Sequence, residues 1–242
     1  MRDRIELLDT VIDVASTNTV CKSVKQYLSR EGSSVLYFLN SETLLLLQNN
    51  QEYREVLGSC EWVLPGNQNV NASVDEVAGS DRDVFVFESF FESILDHAIE
   101  KGYEFFLLAE DSERFNYMKE NIHEKRPYLT LSGMFLTDKE ESLDHVVNEI
   151  NSMAPDILLV ALDEKKQWEM IKQFRNQINA GLMLFTGNIL YNKVVAEAEV
   201  PEPIQKLRIA NLYKWLRIEG IKQTLNNLKM KIVIKRHHKD NK

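Results

Sequence analysis

Six apolar bursts of strand length constrain this chain more than any other feature. They read SSVLYFLN (33–40), EWVLPG (61–66), YEFFLLAE (103–110), LTLSGMF (129–135), DILLVALD (156–163) and GLMLFTG (181–187). DILLVALD is apolar almost throughout, as a strand covered on both faces must be. Stretches of helical periodicity separate the bursts. SETLLLLQNNQEYREVLGS (41–59) offers Ser41 as an N-cap and breaks near Asn49-Asn50. SERFNYMKENIHEK (112–125) offers Ser112 as a cap and puts Phe115, Met118 and Ile122 on one face. KEESLDHVVNEINSM (139–153) does the same with Leu143, Val146, Val147 and Ile150, and KQWEMIKQFRNQI (166–178) completes the set. Buried strands alternating with amphipathic helices predict an α/β fold, a Rossmann-like parallel sheet with helices on both faces. A chain of 242 residues buries enough surface to hold such a core without staples.

In folds of this kind, ligands sit beyond the carboxyl ends of the strands. That rule gathers Asn40, Gly66-Asn67-Gln68, Glu110-Asp111, Ser132-Gly133, Asp163-Glu164 and Thr186-Gly187-Asn188. The set is rich in amides and acids and poor in bases. WVLPGNQNV (62–70) stands out, because the loop after an apolar strand carries no acid, base or nucleophile.

Other candidate chemistry is weaker. Asp81-Arg82-Asp83 has the spacing of a metal-diphosphate motif, but 37 acids produce that spacing by chance several times, and a solvated loop is the better reading. Asp163 and Glu164 stand between a strand and a helix. Either can cap the helix, bind a metal or act as a general base, and the cap is favoured because acids at helix starts suit the dipole. Lys165 and Lys166 can meet a phosphate there, although a solvated face is the better reading. His97, His123 and His145 have no partner one helical turn on, and His237-His238 extend a basic tail. There is no serine elbow and no glycine-rich phosphate loop. Cys21 and Cys60 have no metal-ligand spacing and fit two reduced thiols better than a disulfide.

The net charge of −8 conceals an asymmetry. Residues 205–242 carry eleven Lys and Arg against two acids, whereas residues 1–204 carry 18 bases against 35 acids. The change follows Val200-Pro201-Glu202-Pro203, a helix-breaking stretch, so the expected division is an α/β domain over 1–200 and a basic C-terminal appendage over 201–242. On a helical wheel Ile204, Leu207, Trp215, Ile218, Ile221 and Leu225 share a side. Aromatic and basic residues together suit an anionic membrane surface, and packing against the acidic body is an equal alternative. Nucleic acid is not expected as a partner, since the acidic body repels phosphate backbones. No basic-apolar leader and no apolar run near the length of a membrane span occur, so an intracellular protein that does not cross a membrane is expected.

The order of these pieces, from about Ser33 to Arg217, resembles the WecG/TagA/CpsF glycosyltransferases, glycosyltransferase family 26. The likeness rests on NSETLLLLQNNQEYREVLGSCEWVLPGN, AIEKGYEFFLLAE, SGMF, EINSMAPDILLVAL followed by Gln167, and LYKWLR. The resemblance implies transfer of an N-acetylhexosamine from a UDP-sugar donor to a polyprenyl-diphosphate-linked sugar acceptor, in surface polysaccharide or teichoic acid synthesis. It implies work at the cytoplasmic, inner face of the cell membrane, peripherally, without a metal or other cofactor, and with self-association into a homo-oligomer. It assigns substrate binding to Asn40, Gly66, Asn67, Gln68, Gly133 and Gln167, and membrane and diphosphate contact to Lys206, Arg208, Lys214, Trp215 and Arg217.

This sequence departs from the family pattern at the strand ends. The family's Asp-Gly after the -vLP- strand, whose Asp is the proposed catalytic base, is here Gly66-Asn67. The Thr two residues before the strand-end Asn is Phe38. Gly-x-Pro-x-Gln-Glu is Asp163 to Trp168 and keeps only Gln167. Arg-Ala-Pro is Pro201-Glu202-Pro203, and Gly-Gly is Ala109-Glu110. Impaired or altered catalysis is the expectation, with Asp163, Glu164 and Asp111 as substitute catalytic candidates. A non-catalytic scaffold in polysaccharide assembly is the alternative.

Overall fold

The computed structural model describes residues 2–79, 83–110, 112–137, 142–190 and 220–240. The chain opens with a hairpin of β1 (Asp3–Leu7) and β2 (Thr10–Val14), then α1 (Thr17–Leu28). Next come β3 (Ser34–Leu39), α2 (Ser41–Gln48), α3 (Gln51–Gly58), β4 (Trp62–Pro65), α4 (Gln68–Ala78) and α5 (Phe87–Lys101). The second half runs β5 (Glu104–Ala109), α6 (Ser112–Lys125), β6 (Thr130–Leu136), α7 (Leu143–Met153), β7 (Ile157–Ala161), α8 (Glu164–Phe174) and β8 (Leu182–Phe185), with α9 (Gly220–Asp240) last.

The six predicted strands form one sheet in the order β4-β3-β8-β7-β5-β6, and every neighbouring pair is parallel. The expected α/β, Rossmann-like class is correct. Alternation along each strand sorts the core into two layers. Tyr37, Leu39, Leu158, Val160 and Phe185 face the hairpin, α2, α4, α7, α8 and α9. Leu36, Phe38, Leu64, Leu159 and Leu184 face α1, α5 and α6. Each fully buried large side chain contributes about 1.5–3 kcal/mol relative to exposure, so the strands are committed to their register by both faces at once.

The boundaries correct several expectations. Asn40, not Ser41, caps α2: its Oδ1 accepts the Thr43 N–H at 2.9 Å. The break near Asn49-Asn50 is real, and Asn50 caps α3. α7 begins after Ser142, which caps it, and α8 begins at Glu164 rather than at Lys166 because Asp163 caps it. α6 begins at Ser112 itself. The hairpin, α1 and α4 carry no strong sequence signal. The hairpin turns at Leu8-Asp9 with φ of 51° and 57°, a conformation usually announced by Asn-Gly or Asp-Gly. α4 is rich in poor helix formers and is held by the Asn67 cap and by burial of Val70 and Val74.

Cys21 and Cys60 are free, and they lie in core layers on opposite faces of the sheet. Burial pushes the Cys60 thiol up to about 12. The last helix presents Asn227, Met230 and Ile234 to the body, where it packs on α2 and α4. Leu225, placed on the wheel with the apolar side, is exposed instead, together with Leu228 and Ile232. Among the described residues no helix is long and apolar enough to cross a membrane, and no group of three or more acids, His or Cys is arranged to hold a metal. The division expected at residue 200, with Lys206, Arg208, Lys214, Trp215 and Arg217, lies outside the described residues, as do Asp81, Arg82 and Asp111.

Candidate functional site

The carboxyl ends of β3, β7 and β8 converge on a polar cluster built around Asn40. Its Oδ1 accepts from the Thr43 N–H at 2.9 Å and from the Thr43 hydroxyl at 3.1 Å. Its Nδ2 donates to Glu164 Oε1 at 2.8 Å and to Asn188 Oδ1 at 3.3 Å. An amide offers two donors and two acceptor positions, so Asn40 is fully satisfied within the protein.

Glu164 is the hub. Its other oxygen, Oε2, accepts from the Tyr37 hydroxyl at 2.6 Å and lies 3.5 Å from Gln167 Nε2, one turn along α8. Gly187, at φ +50°, crosses so close that a Cβ there would lie 3.0 Å from Gln167 Nε2 and 3.3 Å from Glu164 Oε1. A side chain at 187 would press on both. Burial pushes the Glu164 carboxyl above the usual carboxylate range and the charge of Glu42 adds to this, while bonds from Tyr37, Asn40 and Thr43 pull the other way. Burial, then the charge of Glu164, holds the Tyr37 hydroxyl well above the ordinary tyrosine range, so it stays protonated and remains a donor. Gln167 is 1% exposed, and its Oε1 has no hydrogen-bond partner; the Ser41 hydroxyl is in the same condition at 2%.

Neighbouring acids are otherwise engaged. Asp163 Oδ1 accepts the Lys166 N–H at 2.9 Å, the cap anticipated from sequence. Glu110 takes the Asp163 N–H at 2.9 Å through Oε1, and its Oε2 lies 3.4 Å from the Lys166 ammonium.

The β4 end is built differently. Gly66 donates its N–H to the Leu39 carbonyl at 2.7 Å. A Cβ on Gly66 would stand 2.2 Å from Ile189 Cδ1 and 2.8 Å from the Leu39 carbonyl oxygen. Ile189 therefore fills the space into which a side chain would project. Phe38, on the same face, meets the rings of Phe85, Phe87 and Phe90 at 6.0, 5.0 and 5.6 Å. Asn67 caps α4 through the Val70 N–H at 3.0 Å, and Gln68 is exposed on its first turn.

The predicted site residues thus separate. Asn40, Glu164 and Gln167 come together, and Gly66 adjoins them through Leu39. Gly133, expected at a strand end, stands inside β6, where a Cβ would meet the Phe106 ring at 2.6 Å; β6 continues to Leu136, so its carboxyl end is further on. Tyr37 and Ile189 escaped the sequence reading. Tyr37 lies in an unbroken apolar strand, and only strand alternation, which puts it on the face opposite Phe38, marks it.

The model of the Glycosyl transferase WecG/TagA/CpsF family matches residues 5–218. This chain belongs to that family. No curated protein matches it. The match begins in β1, well before the Ser33 limit of the resemblance read from sequence, and ends just short of α9. WecG/TagA/CpsF proteins are glycosyltransferases of cell-surface polysaccharide synthesis, a role that calls for a sugar-nucleotide donor and a lipid-linked acceptor. Against that role, the two unlike halves of the strand-end region carry the chemical question: polar side chains cluster around Asn40, and Gly66 is a glycine without room for a side chain.

Proposed function

We propose that this protein moves an N-acetylhexosamine from a UDP-sugar to a polyprenyl-diphosphate-linked acceptor at the cytoplasmic face of the cell membrane, with turnover altered by the change at position 66. The observation that carries this reading is the polar cluster of Tyr37, Asn40, Glu164 and Gln167 at the carboxyl ends of β3, β7 and β8, the position where α/β sheets take their ligands. Membership of the family supports the donor and acceptor classes. The outer side of α9 supports the membrane: exposed Leu225, Leu228 and Ile232 form a stripe flanked by exposed Lys229, Lys231, Lys235 and Arg236. Four bases near an anionic surface contribute about 4 kcal/mol. The helix packs inward through one face and offers this stripe on the other, so the two roles weighed for the tail are compatible. Release of UDP from UDP-N-acetylhexosamines, measured with a polyprenyl-diphosphate-linked acceptor and the full chain on anionic vesicles, tests the reading; no release across a donor panel overturns it.

A second reading, a non-catalytic partner in polysaccharide assembly, draws on the filling of the β4 end by Ile189 and Phe38. Titration calorimetry separates the two. Absence of both turnover and UDP-sugar binding decides for the scaffold.

A further inference from the structure

We infer that Glu164 is the proton acceptor of the transfer, standing at the end of β7, with β3 and β8 between it and the Gly66 loop after β4. This inference rests on the glycosyltransferase reading above. Three observations lead to it. First, the β4 loop cannot supply a carboxylate: position 66 has no side chain, and Ile189 and the Leu39 carbonyl occupy the space of its Cβ. Second, among the described residues the other acids at these strand ends are engaged by the fold, Asp163 as the cap of α8 and Glu110 by the Asp163 N–H and the Lys166 ammonium. Third, Glu164 is oriented but not saturated. A carboxylate has about four acceptor positions. Tyr37 and Asn40 fill one on each oxygen, the Thr43 hydroxyl also bonds the group, Gln167 Nε2 makes only a marginal contact at 3.5 Å, and the residue is half-buried rather than sealed, which leaves about one position open.

The surroundings suit the role. Gln167 Oε1, buried and without a partner, stands on the same helix one turn away and can accept from a second sugar hydroxyl. Among the described residues, the ionisable groups acting most on Glu164 are Tyr37 from β3, which donates, and Glu42 from α2, which disfavours ionisation. A base whose affinity for protons is increased in this way abstracts a proton more effectively near neutrality. In the transfer step the acceptor hydroxyl gives its proton to Glu164, and its oxygen bonds to the anomeric carbon. The bond from that carbon to the phosphate oxygen breaks, and UDP leaves with the electron pair. The protonated Glu164 then returns its proton to solvent.

The experiment uses the full chain, UDP-N-acetylhexosamine donors and a polyprenyl-diphosphate-linked acceptor, with kcat and KM followed from pH 5 to 9. Glu164→Gln is expected to lower kcat by about 10²–10⁴ with little change in donor KM, and to abolish the acidic limb of the kcat/KM profile. Glu164→Ala in added formate, which supplies a carboxylate, is expected to regain part of the rate and guards against misreading a folding defect. Wild-type kcat and an unchanged acidic limb in Glu164→Gln would overturn the role of Glu164 while leaving the transferase reading intact. A wild-type chain that binds a UDP-sugar but transfers nothing removes both.

Discussion

Leu39 and Asn40 stand between two groups of strand ends that are built on opposite principles. On the β7–β8 flank, polar atoms reach across three strand ends and satisfy one another, with a few acceptors left over. On the β4 flank, aromatic and aliphatic side chains close the space, and the loop polar groups serve as helix caps. The division follows from strand geometry. Residues one apart on β3 point to opposite faces, so Tyr37 is delivered to the carboxylate and Phe38 to the phenylalanine cluster. A single strand can therefore keep a polar site on one side while its other side turns into core.

The largest test of this division is Phe38→Ala. Emptying the centre of four packed rings is expected to cost about 3–5 kcal/mol in urea unfolding, and a loss below about 1 kcal/mol would mean the β4 flank is not truly packed. Asn40→Ala comes next. It removes a cap and leaves Glu164 short of a donor, an expected loss of about 2–4 kcal/mol, and a loss no larger than that of an ordinary cap would break the claim that the polar flank is a network.

Gly66→Asp follows, at about 1–3 kcal/mol, because a side chain there must displace Ile189. Combined with Ile189→Ala it should cost less than the sum of the two, and strict additivity would mean that Ile189 is not the obstacle. The smallest effect is a sign. A carboxyl whose affinity for protons is raised by folding stabilises the protein while protonated, and that contribution is lost as pH rises through its raised pKa. The stability difference between Glu164→Gln and wild type should therefore shift in favour of the variant as pH rises above the ordinary carboxylate range, and no shift would place the carboxylate in water.

The strands and most helices were legible because both faces of the sheet are covered, which leaves unbroken apolar runs. The candidate site is legible in part. The strand-end rule found Asn40, Glu164 and Thr186-Gly187-Asn188, and the cap reading of Asp163 was right, because these depend on local chemistry. Nothing local separates Glu164 from Asp163. The difference arises because Asp163 turns back to its own helix while Glu164 reaches Tyr37, 127 residues away in sequence. Ile189 was hidden for the same reason, since its contact with Gly66 joins distant loops. The hairpin gives no local signal because its turn residues are atypical, and Gly133 lies inside β6 because that strand runs on to Leu136.

The hairpin closes one side of the sheet. Asp13, held by Arg2 and Arg4, accepts the N–H of Val63 on β4 at 2.8 Å, and Arg2 donates to the Glu61 carbonyl at 2.6 Å while lying over the Trp62 ring. Among the described residues β6 bounds the other side. The β4 rim of the six-stranded sheet is thereby withdrawn from backbone pairing with a second copy at Val63.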